Sequence, residues 1–169
     1  MGNHNSMRCV CRAFTLVEVL VVITIIGLAA AIVVPSMLQS GTLGVQAAAR
    51  MILSDILYAQ NDAIARQATR IVVFDPAHNT YQITDANGQV IAAAVPGTYV
   101  VNLTQDGRFG GVSLAAADFA GTTSLSFDAL GGPQAGGSVE VTGGAARYRI
   151  QVAAVTGRVT VQNITGTQP

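Results

Sequence analysis

The sequence has no lysine and no tryptophan, only two cysteines and two histidines, and few charges of either sign. Each shortage excludes some chemistry. Without lysine there can be no phosphate-cradling loop of the G-x-x-x-x-G-K-[ST] kind. Cys9 and Cys11 lie close together near the N-terminus, so a disulfide-stapled fold is excluded. No later segment offers a thiolate to a metal. His4 and His78 are too few for a zinc site of the usual His/Cys type, and a Ser-His-Asp triad would have to rest on one of them. Charged residues make up 11% of the chain, less than half the usual quarter, while 50% is hydrophobic. Disorder requires the opposite balance. Nine arginines face nine acids, so no basic excess is available to neutralise nucleic-acid phosphates.

The chain of 169 residues is long enough for one domain and an extra element. Its first thirteen residues carry Arg8 and Arg12 and no acid. Phe14 to Leu38 is then apolar apart from Thr15, Glu18, Thr24 and Ser36, and Val19 to Ala49 holds no charge. A helix of about 20 residues spans a bilayer's hydrocarbon core, and Val19–Leu38 has that length. Arginines before the run, and no positive charge for the 31 residues after Glu18, predict a cytoplasmic N-terminus, with the remainder across the inner membrane. A cleaved signal peptide, a plain anchor and a buried core helix compete for this pattern. The run exceeds a usual signal-peptide core, and no clean A-x-A site follows it. Glu18 separates the readings, because a carboxylate within a membrane segment is costly and needs a partner.

The residues R-A-F-T-L-V-E-V-L, Arg12–Leu20, resemble the type III signal of type IV pilins and type II secretion pseudopilins. The resemblance implies that a prepilin peptidase cuts between Ala13 and Phe14. Phe14 is then N-methylated and the apolar segment is retained. Glu18 becomes the fifth mature residue and Pro35 the twenty-second, where such pilins carry a helix-kinking proline. Ala13 stands where the family usually has glycine. Cys9 and Cys11 fall in the discarded leader, which leaves seven arginines against nine acids. The resemblance also implies an assembly role for Glu18. If its carboxylate meets the Phe14 amine of the next subunit, both charges are neutralised only on assembly, and the pair sets axial register. The competing reading pairs Glu18 with the dipole of its own helix N-terminus.

Ser40–Gly44 carries helix-weakening residues, so the helix should bend or loosen near Pro35–Gly44. Val45, Ala49, Ile52, Ile56, Ala59 and Ala63 then form a helical stripe, widened by Leu53 and Ile64. Asp55, Tyr58, Asn61 and Asp62 are read as the opposite, solvent side, with Asp62 and Arg66 as an i,i+4 pair. From Arg70 the period changes to two. Strands are predicted at Arg70–Asp75, Thr80–Thr84, Gln89–Val95, Thr98–Thr104, Thr123–Phe127, Ser138–Val141, Arg147–Val152 and Arg158–Gln162. Asp85–Gly88 is a hairpin turn signal. No fixed-period repeat is visible. The expected organisation is a leader at 1–13, a transmembrane and assembly segment at 14–38, a linker and amphipathic helix at 39–69, and a β-rich head at 70–169. The fold class is α+β, a long N-terminal hydrophobic helix packed on an antiparallel β-sheet or sandwich head.

Leu57–Val73, Ser124–Val141 and Arg147–Val161 resemble the helix-to-strand junction and C-terminal strands of the GspH/FimT family, which includes minor pseudopilin H of type II secretion and FimT-like minor pilins. The resemblance implies a single-pass inner-membrane protein with a periplasmic head, later drawn into a periplasmic filament for protein secretion. Its implied partners are the prepilin peptidase, other pseudopilins or pilins and the inner-membrane assembly platform, with exported substrate as a further candidate. FimT-like members bind DNA for natural transformation near a C-terminal Gly-Arg motif, matched here by Gly157 and Arg158, with Arg147 and Arg149 as possible additions to a patch. Thr160 replaces the second basic residue of that motif, so DNA is disfavoured as a partner. No catalytic constellation, metal site or cofactor is expected. His78 reads as an exposed turn residue, and Asp75, Asp85, Asp106 and Asp128 as turn-capping residues rather than calcium ligands. The sequons at Asn102 and Asn163 are formal only. The variable middle, including Gln105–Gly111 and Ala115–Gly121, reads as loops that carry partner specificity.

Overall fold

A threonine just ahead of the apolar run fixes where the first helix begins. In the computed structural model, which describes residues 15–92 and 97–166 but not the side chains of 30–42, helix α1 spans Leu16–Arg66. Thr15 Oγ1 accepts the Glu18 N–H at 3.2 Å, satisfying a backbone donor that has no partner in the first turn. Inside the apolar stretch the Thr24 hydroxyl donates to the Leu20 carbonyl at 2.7 Å, so it carries no unpaired donor. The helix closes in a Schellman arrangement. The Ala68 N–H reaches the Ala63 carbonyl, the Gln67 N–H reaches Ile64, and Gln67 takes the left-handed φ of 49°. The expected loosening at Ser40–Gly44 does not end the helix. A helical glycine costs only about 1 kcal/mol, which tertiary packing readily overrides. The chain divides into two compact units, Met1–Leu38 and Gln39–Pro169.

In the second unit, antiparallel strands form two four-stranded sheets. The first has the order β3 (Val100–Asn102), β2 (Thr80–Asp85), β1 (Arg70–Asp75), β5 (Ser124–Phe127). The second runs β4 (Ser113–Asp118), β6 (Gly137–Gly143), β7 (Ala146–Val152), β8 (Val159–Asn163). Two predicted strands shrink. Val90 and Ala92 make only isolated bridges, to Thr84 and Thr98, and 93–96 lie outside the described residues. Thr98–Thr104 contracts to β3. One strand, β4, was not predicted, because Ala115-Ala116-Ala117 has weak strand propensity. Ala115–Asp118 is therefore an edge strand, and its assignment to a loop is corrected.

The stripe on α1 is the floor of the core. Val45, Ala49, Ile52, Ile56, Ala59 and Ala63 are fully buried, with Ala48 beside them. They join Val72, Phe74, Ile83, Val139, Val141 and Ile150 of both sheets in a single cluster. Phe74 stacks on Phe119 with centroids 5.8 Å apart. The alanines allow close approach, as does Gly143 in β6, where a Cβ would lie 2.5 Å from Val45 Cγ2. Full burial of each large aliphatic side chain contributes about 1.5–3 kcal/mol. Ile64 and Leu53, expected to widen the stripe, are exposed and half-buried respectively.

Asp55 does not face solvent, and its assignment to the outer side is corrected. It is 7% exposed. At 100° per residue it falls about 20° from Ala48 and about 40° from Ala59, on the edge of the stripe, so geometry places it against the core despite its charge. Its carboxylate accepts the Tyr81 hydroxyl at 2.5 Å and the Tyr99 hydroxyl at 2.6 Å, and Tyr99 stacks on Tyr58. Burial raises the Asp55 pKa above the ordinary carboxylate range, and the two phenol hydrogen bonds oppose this only in part. Asp55→Ala leaves the buried Tyr81 hydroxyl without its acceptor and should lower stability by about 1–3 kcal/mol in denaturant melts. The pH dependence has a definite sign. A carboxyl with a raised folded pKa binds its proton more tightly when folded. Its contribution to stability therefore falls as pH rises from the unfolded value, about 4, through the folded one. The stability difference between wild type and Asp55→Asn should accordingly shift against the wild type as melts are taken from about pH 4 to neutrality.

Candidate functional site

Ala13 and Phe14, the expected cleavage pair, lie outside the described residues, as does the side chain of Pro35. What is described begins at Thr15. From there to Ala29 every residue is exposed, and ten large hydrophobics between Leu16 and Leu28 range from 48% to 81% exposure. They lie on all faces of the helix, so no rotation could bury them against a single neighbour. A helix apolar all round requires lipid or several protein partners. Glu18 is the one charged residue among them, sits in the first turn and is exposed. Its carboxylate makes no ion pair among the described residues. Among the described residues no helix is long and apolar enough to cross a membrane. The side chains at 30–42, which include the second half of Val19–Leu38, are not among those described.

In the head, the candidate DNA-contacting arginines are not equivalent. Arg147 and Arg149 stand on one face of β7, Arg149 directly opposite Glu140 of β6 and Arg147 opposite Thr142, diagonal to that carboxylate. Arg149 Nη2 lies 2.6 Å from Glu140 Oε1 and Arg147 Nη1 is 4.0 Å from Oε2, so this carboxylate offsets their charge. Arg158 is exposed and makes no ion pair among the described residues. Gly157 before it has a structural duty. Its φ is 63°, and a Cβ there would meet Gln60 Nε2 at 2.5 Å. Gly-Arg thus marks a tight β7–β8 turn pressed onto α1.

Other side chains organise the head without having been singled out in the sequence. Gln60 Nε2 donates to the Gly131 carbonyl at 2.8 Å, so this helix residue holds the Asp128–Gly132 turn while packing closely against Gly157 of the β7–β8 turn. Those turns present Leu130 and Val155 at 87% and 89% exposure. Asn79, at φ 58°, donates to the Thr104 hydroxyl and the Val112 carbonyl and accepts the Leu114 N–H at 2.6 Å. It joins the β1–β2 hairpin to the start of β4. Its position in a Pro-Ala-His-Asn turn was a usable signal, whereas Gln60 gave none. Asp62 receives Arg66 at 2.8 Å, as expected, and also Arg70 at 2.6 Å. Burial pulls its pKa upward, but the two guanidinium hydrogen bonds outweigh this and hold it below the ordinary range. A groove of about 290 Å³ beside them is lined further by Asp85, Gln89 and Val90–Ala92.

The remaining candidates cap turns. His78 is exposed and its Nδ1 lies 2.6 Å from Asp75 Oδ2 within one turn. Asp85 accepts the Asn87 and Gln89 N–H groups, and Asp128 those of Leu130 and Gly132. Asp106 caps the single-turn 3₁₀ helix Gly107–Phe109 and pairs with Arg108. Phe109 is buried, which anchors Gln105–Gly111 to the core. Among the described residues no three His, Cys, Asp or Glu side chains converge as a metal site would require.

Comparison with known proteins accords with this architecture. Residues 48–157 match the family described as type II transport protein GspH. Residues 8–34 match the prokaryotic N-terminal methylation motif. The fold is similar to that of the minor pseudopilin EpsH from the type 2 secretion system of Vibrio cholerae, with a TM-score of 0.53 at 12% identity, covering 73% of this chain and 98% of that one. It is also similar to the type IV minor pilin FimU of Pseudomonas aeruginosa, with a TM-score of 0.51 at 13% identity, covering 70% and 87%. No curated protein sequence matches. With a GspH match over most of its length and a prepilin-type N-terminal motif ahead of it, the chain belongs to the GspH family of type IV pilin-like proteins.

Proposed function

We propose that the chain is a minor pseudopilin, a structural subunit of a type II secretion pseudopilus. A prepilin peptidase removes residues 1–13, Phe14 is methylated, and Val19–Leu38 holds the subunit in the inner membrane with its head in the periplasm. The assembly platform then draws it into a filament beside other pseudopilins, where the head displays its surface to neighbours or to exported protein. Its mechanism is assembly rather than catalysis. The observation that carries this reading is the stretch Leu16–Leu28, apolar and exposed on every face, with Glu18 as its only charge. Such a surface is stable in lipid and then among the helices of other subunits, but not in water.

Glu18 supplies register. In lipid an unpaired carboxylate and an unpaired α-amine are each unfavourable. Pairing Glu18 of one subunit with the Phe14 amine of the next satisfies both and fixes their axial offset. Thr15 caps the Glu18 N–H, which holds the carboxylate in the first turn. Glu18→Gln and Glu18→Ala should insert at wild-type levels but co-assemble at least about tenfold less, since removing one partner strands the other charge. Membrane fractionation and filament pull-down measure the two quantities separately. Normal co-assembly of Glu18→Gln would remove the register role.

The DNA-binding alternative rests on Arg147, Arg149 and Arg158. Glu140 faces the first two, which leaves Arg158 as the one cation of the set without an acid beside it among the described residues. A single phosphate contact gives little affinity at physiological salt. The detergent-solubilised chain should therefore show no salt-sensitive DNA retardation at low ionic strength. Retardation abolished by Arg158→Ala would instead favour the transformation role.

A further inference from the structure

The four sheet edges are not equivalent. β5 is covered by its own following turn, where Phe127 bridges Pro133 and the Gln134 N–H donates to the Ser126 carbonyl at 2.9 Å. β4 is bulged between Leu114 and Ala116 and ends on Asp118. β3 has only three residues. Cover, bulges, charges and brevity are the usual means by which an edge avoids pairing with another chain. β8 has none of them. Its five residues, Val-Thr-Val-Gln-Asn, contain no charge, proline or bulge and pair only with β7.

The register identifies which backbone groups are open. The Ala153 N–H donates to the Arg158 carbonyl and the Ile164 N–H to the Arg147 carbonyl. Antiparallel alternation then turns the N–H and C=O groups of Thr160 and Gln162 toward β7, and those of Val159, Val161 and Asn163 outward. These outward groups have no protein partner among the described residues. Val159 and Val161 pack their side chains partly on the core, leaving an apolar shelf at the edge. Arg158 stands at the start of the strand, exposed.

We propose that β8 accepts, as a fifth strand of its sheet, an extended segment of another protein running antiparallel to it. That segment carries apolar residues at alternate positions and a carboxylate near its C-terminal end. The antiparallel direction places this end beside Arg158. Main-chain hydrogen bonds supply affinity, while the valine shelf and Arg158 select the sequence. A second copy of this chain fits less well. Self-pairing about Val161 sets Arg158 opposite Ile164 of the other copy, and no acid lies between Arg158 and Gly166. The proposal holds whichever secretion or pilus system the chain serves.

The test uses the full chain in detergent micelles and two labelled, C-terminally amidated peptides, Thr-Val-Thr-Val-Thr-Asp and its counterpart ending in Asn. Fluorescence anisotropy should show saturable binding, several-fold tighter for the acidic peptide, with slowed amide exchange at Val159, Val161 and Asn163. Val161→Pro removes an outward N–H while leaving the bonds to β7, and should weaken both peptides about tenfold. Val159→Pro should do likewise, at a strand-initial position where proline is tolerated. Arg158→Ala should abolish the preference for the acidic peptide. Absence of binding by either peptide, or binding indifferent to both prolines, would overturn the proposal. So would a concentration-dependent dimer whose β8 amides are protected without peptide, which would assign the edge to a second copy.

Discussion

Everything in the head is referred to one row of small and branched side chains on α1. From Val45 to Ala63 this row is buried without remainder, and both sheets close over it. Alanine at 48, 49, 59 and 63 lets strands approach the helix, while Ile52 and Ile56 are fully buried in the cluster that both sheets share. Polar residues that intrude on the row are matched rather than excluded. Asp55 is met by two tyrosine hydroxyls from different segments of the first sheet's side of the core. Gln60 is met by the Gly131 carbonyl. Each polar contact fixes the rotation of the helix more sharply than apolar burial alone, because a hydrogen bond is directional and the hydrophobic effect is not.

Earlier in α1 the same secondary structure serves the opposite purpose. Leu16–Leu28 exposes apolar atoms around the whole circumference, and its only polar side chains are Glu18 and Thr24. Thr24 is satisfied within its own helix. Glu18 is the single charged group of the stretch and has no ion-pair partner among the described residues. In the proposed filament this turns one carboxylate into a positional constraint: lipid tolerates many arrangements of apolar helices, but a buried charge pair tolerates few.

The elements that repeat a simple period were legible in the sequence. The apolar run, the α1 stripe and strands β1, β2, β6 and β7 follow from spacings of 3.6 and 2, with ends given by turns and caps. The N-terminal motif was legible because charge, small residue, aromatic and glutamate occur in one fixed order. What the sequence did not disclose depends on tertiary partners. Asp55 was assigned to solvent because charge was weighed above its angular position, and the tyrosines that make burial tolerable lie 26 and 44 residues away. β4 was hidden by three consecutive alanines, of which Ala116 and Ala117 pair with β6 while Ala115 bulges out of the ladder. The partial offset of the Arg147 and Arg149 charges depends on a strand register that places Glu140 opposite Arg149 and diagonal to Arg147. The open edge of β8 likewise appears only once strand order is known.

The central claim is that the apolar N-terminal segment is kept, newly trimmed, as the assembly element of the mature subunit. The most direct measurement is the mature N-terminus, by intact mass and N-terminal peptide sequencing of the chain from membranes with and without prepilin peptidase. The account predicts a chain that begins at methylated Phe14, and only when the peptidase is present. A chain still beginning at Met1 in both cases, or one beginning beyond Pro35, would contradict it, for then Phe14 would offer no amine to Glu18.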